Sequence, residues 1–146
     1  MIALIQRVSQ ARVEVAGQTV GAIGRGILAL VGIESRDGLE TASRLLERVV
    51  TYRIFPDDAG KMNLDLRQID GELLLVPQFT LVADTRKGTR PSFSGGASPE
   101  KARELFAALT AAARAAHPRV AAGVFGADMQ VHLVNDGPVT FNLHVT

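Results

Sequence analysis

The residues of this chain best placed to do chemistry lie in two short stretches. The first is Asn135-Asp136-Gly137-Pro138-Val139-Thr140, near the C-terminus. Gly137 can take dihedrals closed to other residues, and Pro138 makes the bond before it one of the few that can be cis at tolerable cost. The stretch separates two alternating runs, Met129–Val134 and Thr140–Val145, and Asp-Gly between such runs is a strong hairpin signal. A hairpin turn is therefore the pattern's first prediction. The second stretch is Gln78-Phe79-Thr80-Leu81, directly after Pro77. Its Thr80 offers a hydroxyl that could serve as a nucleophile, but no activating base lies beside it, which favours a positioning role.

Conventional catalytic sets do not occur. There is no Gly-x-Ser-x-Gly elbow, no His-Glu-x-x-His and no Gly-Lys-Ser/Thr. Gly24-Arg25-Gly26 does not open a helix after a strand, as a nucleotide-binding loop must. The chain contains no cysteine, which excludes disulfides, thiolate-bound metals and a cysteine nucleophile. Asp57 and Asp58 lie in the turn-rich Pro56–Gly60, and no carboxylates or histidines follow at ligand spacing, so a turn is expected. His132 and His144 fall on the polar faces of their strands and read as surface residues. Neither a metal nor a cofactor is expected. Suspicion shifts to a mechanism built from backbone groups.

Arg86, Lys87 and Arg90 stand against the single acid Asp84 in a polar, glycine-rich segment from Asp84 to Ala97. Such a segment reads equally as a solvated basic loop or as a contact for nucleic-acid phosphates. The net charge of +1 does not choose between them. With aromatics at 5% and no tryptophan, a surface that binds RNA mainly by stacked rings is not expected.

Positioning these groups falls to an α+β chain, one domain over residues 1–146, with extensive antiparallel pairing and two helices. Ile2–Val8 and Arg12–Val15 read as extended, with Ala16-Gly17-Gln18 as a hairpin turn before Thr19 and Val20. Ile27–Ile33 reads as a strand buried on both faces. Leu39, Ala42, Leu45, Leu46, Val49 and Val50 make the apolar stripe of a first helix, Leu39–Val50. Leu73–Val76 is a short strand that Pro77 closes, because proline cannot donate to a sheet ladder. Ser98-Pro99-Glu100 announces a second helix with Ser98 as N-cap, ended by His117-Pro118. Its buried stripe is Ala102, Leu105, Phe106, Leu109 and Ala113. In the last third Met129, Val131 and Leu133 share one face, and Phe141, Leu143 and Val145 another. No apolar run approaches the ~20 residues of a bilayer span and no signal peptide is visible, so a soluble, cytoplasmic protein without a membrane partner is expected.

With both stretches in view, the chain resembles the D-aminoacyl-tRNA deacylases, small proofreading hydrolases that cleave D-amino acids from mischarged tRNA. The motifs that define that family, Ser-Gln-Phe-Thr-Leu and Asn-x-Gly-Pro-Val-Thr, here read Pro77-Gln78-Phe79-Thr80-Leu81 and Asn135-Asp136-Gly137-Pro138-Val139-Thr140. Met1–Val8, Tyr52–Phe55, Gly60–Leu64 and Arg90-Pro91-Ser92-Phe93 also resemble the family, so the likeness runs the length of the chain. It implies a compact β/β/α layered fold with largely antiparallel sheets, and a homodimer whose active sites lie at the interface. Gln78, Phe79 and Thr80 would form the catalytic segment around the 3′-terminal adenosine and its ester, with Phe125 and Met129 among the substrate-binding residues. Gly137-Pro138 would be cis and reach into the other subunit's pocket, braced by Arg7, its carbonyls facing the α-carbon and rejecting L-amino acids. Arg86, Lys87 and Arg90 become candidates for tRNA contact. Pro77 departs from the family's usual serine. It has neither N–H nor hydroxyl, so donors must come from Gln78 onward.

An aminoacyl ester is already activated, so backbone donors worth about 2.7–4 kcal/mol each, together with positioning, could suffice without a triad. The expectation is an oxyanion held by the N–H groups of Phe79 and Thr80, with the neighbouring ribose 2′-OH assisting attack. Two other readings stand: a related deacylase of L-amino acid specificity, and a non-catalytic RNA-binding module. Whether glycine is also removed is left open by the sequence.

Overall fold

The long strand β1, Ile2–Val15, is the spine of the molecule. It takes in Ser9, Gln10 and Ala11, which the sequence pattern left between two separate strands, because partners pair with it on both sides of that gap. A turn at Ala16-Gly17 returns the chain as β2, Gln18–Ile23, and after Gly24-Arg25 as β3, Gly26–Gly32. Ala11 faces Ile23 and Val8 faces Gly26, so β2 and β3 lie end to end along one side of β1. Strand β8, Gln130–His144, runs antiparallel along the other side. The computed structural model describes all residues from Met1 to Thr146.

Two parallel pairings extend this antiparallel set. Strand β6, Glu72–Pro77, pairs with β3, and the short β7, Val120–Ala122, pairs with β6. Parallel neighbours need a long crossover, and the two helices lie within those crossovers. They are α1, Leu39–Val50, before β6, and α2, Pro99–Ala116, before β7. Between α1 and β6 a small hairpin forms, β4 (Phe55–Pro56) with β5 (Met62–Leu64). Its turn is knotted by Asp57, whose carboxylate accepts from Ala59 N, Lys61 N and Asn63 Nδ2 at 2.9–3.0 Å. The predicted turn at Pro56–Gly60 is thus present. Three short elements had no sequence signal strong enough to predict: that hairpin, β7, and a 3-10 turn at Phe79–Val82.

Burial follows from these layers. Ile27, Ala29 and Val31 of β3 face the helices, in a core with Leu45, Phe106 and Leu109. Leu28 faces the opposite way, into a second core with Val8, Val13, Ile23, Leu74 and Val76. Both faces of β3 are therefore dry, as its unbroken apolar run predicts. The layering is β/β/α. Helix α2 begins and ends where expected, with Ser98 Oγ accepting from Lys101 N at 3.3 Å. Its buried stripe is the predicted one, with Thr110 added, whose hydroxyl bonds back to Phe106 O at 2.9 Å. In α1 the first predicted core residue, Leu39, is 68% exposed and the stripe starts at Ala42. The first turn of α1 thus leaves Leu39 outside the core. Along β8, Val131 and Leu133 are exposed on one face and Val134 on the other, so neither is fully covered within the chain. No helix is long and apolar enough to cross a membrane.

Charge closes the sheet at its base. The Met1 ammonium is fully buried and donates to Glu34 Oε2 at 2.6 Å, Asp37 Oδ1 at 2.7 Å and Val145 O at 2.7 Å. Asp37 Oδ2 accepts from Glu34 N at 2.7 Å, and His144 Nε2 lies 2.7 Å from Glu34 Oε2. Burial pushes the Glu34 carboxyl up, but its hydrogen bonds to the ammonium and to His144, and the charges behind them, hold it below the usual glutamate range. Removing one partner from a buried pair leaves the other uncompensated, so Asp37→Ala should cost about 3–5 kcal/mol in urea unfolding. Glu34 binds its proton less readily folded than unfolded. Its contribution should be complete above its ordinary value of 4.5 and drain away as pH falls through the lower folded value, seen as a falling unfolding midpoint that Glu34→Gln flattens.

Candidate active site

A groove of about 470 Å³ opens where β6 ends. Pro77, Gln78 and Phe79 form one wall, Pro99 and Ala102 of α2 the floor, and Phe125, Ala127 and Met129 the other wall. The sheet ladder sets this wall. Val31 pairs with Pro77 in the parallel register, and Gln78 N donates to Val31 O at 2.8 Å. The chain then breaks into the 3-10 turn at Phe79–Val82. Gly32 lets the turn lie close: a Cβ there would stand 2.9 Å from Leu81 Cβ. The first N–H groups of a helical turn have no partner inside it, and here those belong to Phe79 and Thr80. Gln78 Nε2 donates to Thr80 Oγ1, so the hydroxyl sits against an amide and not against a base. Phe79 and Phe93 are exposed at the mouth, with ring centroids 5.1 Å apart.

The Asn135–Thr140 stretch departs from prediction. It is not a hairpin turn between two strands. Both flanking runs pair with the same strand, β1: Thr140 faces Gln6, and Asn135 faces Val8. Between those pairs β1 contributes one residue, Arg7, while β8 contributes four, Asp136 to Val139. The surplus is extruded as a protrusion. Arg7 Nε donates to Asp136 O at 2.8 Å and Arg7 Nη1 to Ile54 O at 2.7 Å, so the arginine ties its base to the loop before β4. Asn135 Nδ2 closes the neck, donating to Arg7 O and to Val139 O, each at 2.9 Å. At the tip the Gly137-Pro138 peptide is cis and Gly137 has φ +154°. A Cβ on Gly137 would lie 2.5 Å from Val139 N. Only glycine fits.

Of the residues singled out in the sequence, Gln78, Phe79, Phe125 and Met129 converge on the groove, with Thr80 in the adjoining turn. Arg7, Gly137 and Pro138 do not line it. Arg86, Lys87 and Arg90 border a depression of their own with Asp84 and Ser92. Hydrogen bonds from the Arg86 side chain and backbone, with its charge, hold the Asp84 carboxyl well below the usual range. Arg86 is thereby compensated, which leaves Lys87 and Arg90 as the cations without an acid. No three side chains of the kind that ligate metals gather anywhere in the chain. His132 and His144 are surface residues, as expected, each beside a glutamate.

The family model for D-Tyr-tRNA(Tyr) deacylase matches residues 4–144. The chain belongs to that family. It is accordingly an enzyme, a deacylase that hydrolyses an ester bond. A D-aminoacyl-tRNA deacylase of Ectopseudomonas mendocina is 61% identical over 142 residues, covering 97% of this chain and 98% of its own. Among solved structures, one titled c-Myc DNA Unwinding Element Binding Protein superposes with a TM-score of 0.94 at 36% identity, covering 99% of this chain and 98% of its own. A probable eukaryotic D-amino acid tRNA deacylase shares the fold, with a TM-score of 0.82 at 18% identity over 97% of this chain and 98% of its own.

Against the family pattern, Pro77 costs the sheet nothing. Val31 bonds the residues flanking its partner, so the missing N–H points to the β7 side. There β7 has already ended, and Gly123 N has turned to Leu75 O at 2.8 Å. Residues that sequence reasoning did not place in the site are Asn135, Ile54 and Phe93. All three stood in motifs already quoted, so the signal was present but their contacts were not. Asn135→Ala, which opens the neck by removing two hydrogen bonds, should lower stability by about 1–3 kcal/mol in urea unfolding.

Proposed function

We propose that the enzyme hydrolyses the ester between a D-amino acid and the 3′-terminal adenosine of tRNA, and that it works as a homodimer. The observation that carries this reading is the division of the site. The groove with its catalytic turn and the rigid Gly137-Pro138 protrusion belong to one chain, yet they do not meet within it. A second copy would supply each groove with a protrusion. Val131 and Leu133, exposed on one face of edge strand β8 and lining a depression of about 540 Å³, would offer that copy an apolar seat. Supporting it further, the curated relatives bear the name D-aminoacyl-tRNA deacylase.

In this reading the ester carbonyl enters the groove and its developing oxyanion takes the N–H groups of Phe79 and Thr80. Gln78 N is already bound to Val31 O and is no longer a candidate donor. Thr80 positions; its hydroxyl accepts from Gln78 and has no base beside it. The ribose 2′-OH assists the attacking water. Carbonyls of the partner's protrusion face the α-carbon, leaving room for hydrogen where an L side chain would clash. Glycine, with two hydrogens, passes the same filter. Lys87 and Arg90, with Arg86, contact tRNA phosphates by charge and not by sequence.

Release of D- and L-amino acids from charged tRNA tests the reading directly. D-amino acids and glycine should leave and L-amino acids stay. Release of L-amino acids would favour the relaxed deacylase, and release of neither would leave a binding module. Thr80→Val should keep turnover within about tenfold, whereas a nucleophile's loss would abolish it. A substrate whose terminal ribose lacks the 2′-OH should turn over slowly. Leu133→Asp should yield monomers by sedimentation and abolish deacylation together with dimerisation.

A further inference from the structure

Arg103 has no role in the groove as described, yet it stands over one wall. It lies on the exposed face of α2, one residue after Ala102, which lines the groove. Its guanidinium carbon is 5.0 Å from the centroid of the Phe125 ring, another lining residue. One of its terminal nitrogens stands 3.5 Å from where a Cβ on Gly126 would be, at the groove's edge. Glu100 precedes it by three residues on the same helix, a spacing at which acid and base commonly pair. They do not pair here. Arg103 makes neither an ion pair nor a hydrogen bond within the chain, so all of its donors remain available. The ring holds the charge in place while leaving the edge of the guanidinium free, and a stacked guanidinium keeps its planar fork ready for an oxyanion.

We infer that Arg103 binds a phosphodiester of the tRNA 3′ strand as it enters the groove, with Phe125 as its backstop. This rests on the deacylase reading for the identity of the strand. An RNA phosphate fits better than a carboxylate-bearing protein segment because Phe79, which lines the groove, forms an exposed ring pair with Phe93 beside it. Exposed rings beside a fixed cation match the way single-stranded nucleic acid is held, by stacking and backbone charge together. The scarcity of aromatics in the composition does not bear on this, because the exposed rings are gathered at one place.

The test compares wild type, Arg103→Gln and Arg103→Lys on D-aminoacyl-tRNA and on a D-aminoacyl ester of adenosine, which carries no phosphate. Arg103→Gln should raise KM for the tRNA about tenfold with kcat unchanged, and leave hydrolysis of the adenosine ester as in wild type. Arg103→Lys should recover part of the loss. Binding of uncharged tRNA across a salt series should show the slope of log affinity against log salt reduced by about 0.7–1 in Arg103→Gln. Equal losses on both substrates would mean that Arg103 merely packs Phe125, and an unchanged KM and slope would mean that it touches no phosphate. Either overturns the inference. Should wild type release no D-amino acid, the deacylase reading falls, while the salt series still decides whether Arg103 meets a phosphate.

Discussion

The Gly137-Pro138 protrusion depends on a mismatch in one ladder. Strands β1 and β8 are paired on both sides of Arg7, from Ile2 with His144 at one end to Glu14 with Gln130 at the other. Between the two paired stretches one residue must stand against four. A small bulge absorbs one extra residue by bending. Three extra cannot be hidden in the pleat, and they leave the sheet as a loop. Because the ladder is held on both flanks, the loop has no freedom to slide. Arg7 and Asn135 then satisfy the backbone groups that the extrusion leaves behind, using side chains where the ladder has none. The result is a protrusion tied at its base by side-chain hydrogen bonds.

The turn at Phe79–Val82 arises from the opposite situation, a ladder that simply stops. Val31 O captures Gln78 N, Pro77 donates nothing, and β7 has already ended. Beyond that point no neighbouring strand can take up the N–H groups of Phe79 and Thr80. A chain that leaves a parallel strand in this way exposes donors at the strand's carboxyl end, where open sheets commonly place their ligands. Around it the helices supply depth: Pro99 and Ala102 bring small apolar surfaces to the floor while Leu105 and Phe106 anchor α2 to the core. The turn and the protrusion thus come from two defects at different places in one sheet, which keeps them apart within one chain.

Much of this was legible in the chain before folding. The two helices were read within a residue of their observed ends, because apolar spacing and the Ser98-Pro99-Glu100 signal are local. Of the two motifs, the first supplies Pro77, Gln78 and Phe79 to the groove, and the second supplies it nothing within the chain. Less legible was the connection at Asp136-Gly137-Pro138. A hairpin and an extruded loop share the same local pattern of alternating flanks around Asp-Gly. What separates them is whether the flanks pair with each other or with a third strand, and that information lies in β1, over a hundred residues away. Leu39 differs for a related reason, since its periodicity is that of a buried residue and only the packing around α1 leaves it exposed.

By itself the sequence determined the residue types at each critical point: glycine where a Cβ would strike Val139, proline where a strand ends, an arginine and an asparagine to bond stranded carbonyls. These are matters of covalent geometry and donor inventory, and they travel with the residue wherever it folds. The tertiary structure alone decided which carbonyls those side chains reach, that Gln78 N is occupied and that Arg103 rests on Phe125 without an acid. Each depends on two segments distant in sequence being placed within a few ångströms of each other. Hydrogen bonds and ring contacts act only at that range, so their partners are assigned by packing and not by the order of the chain.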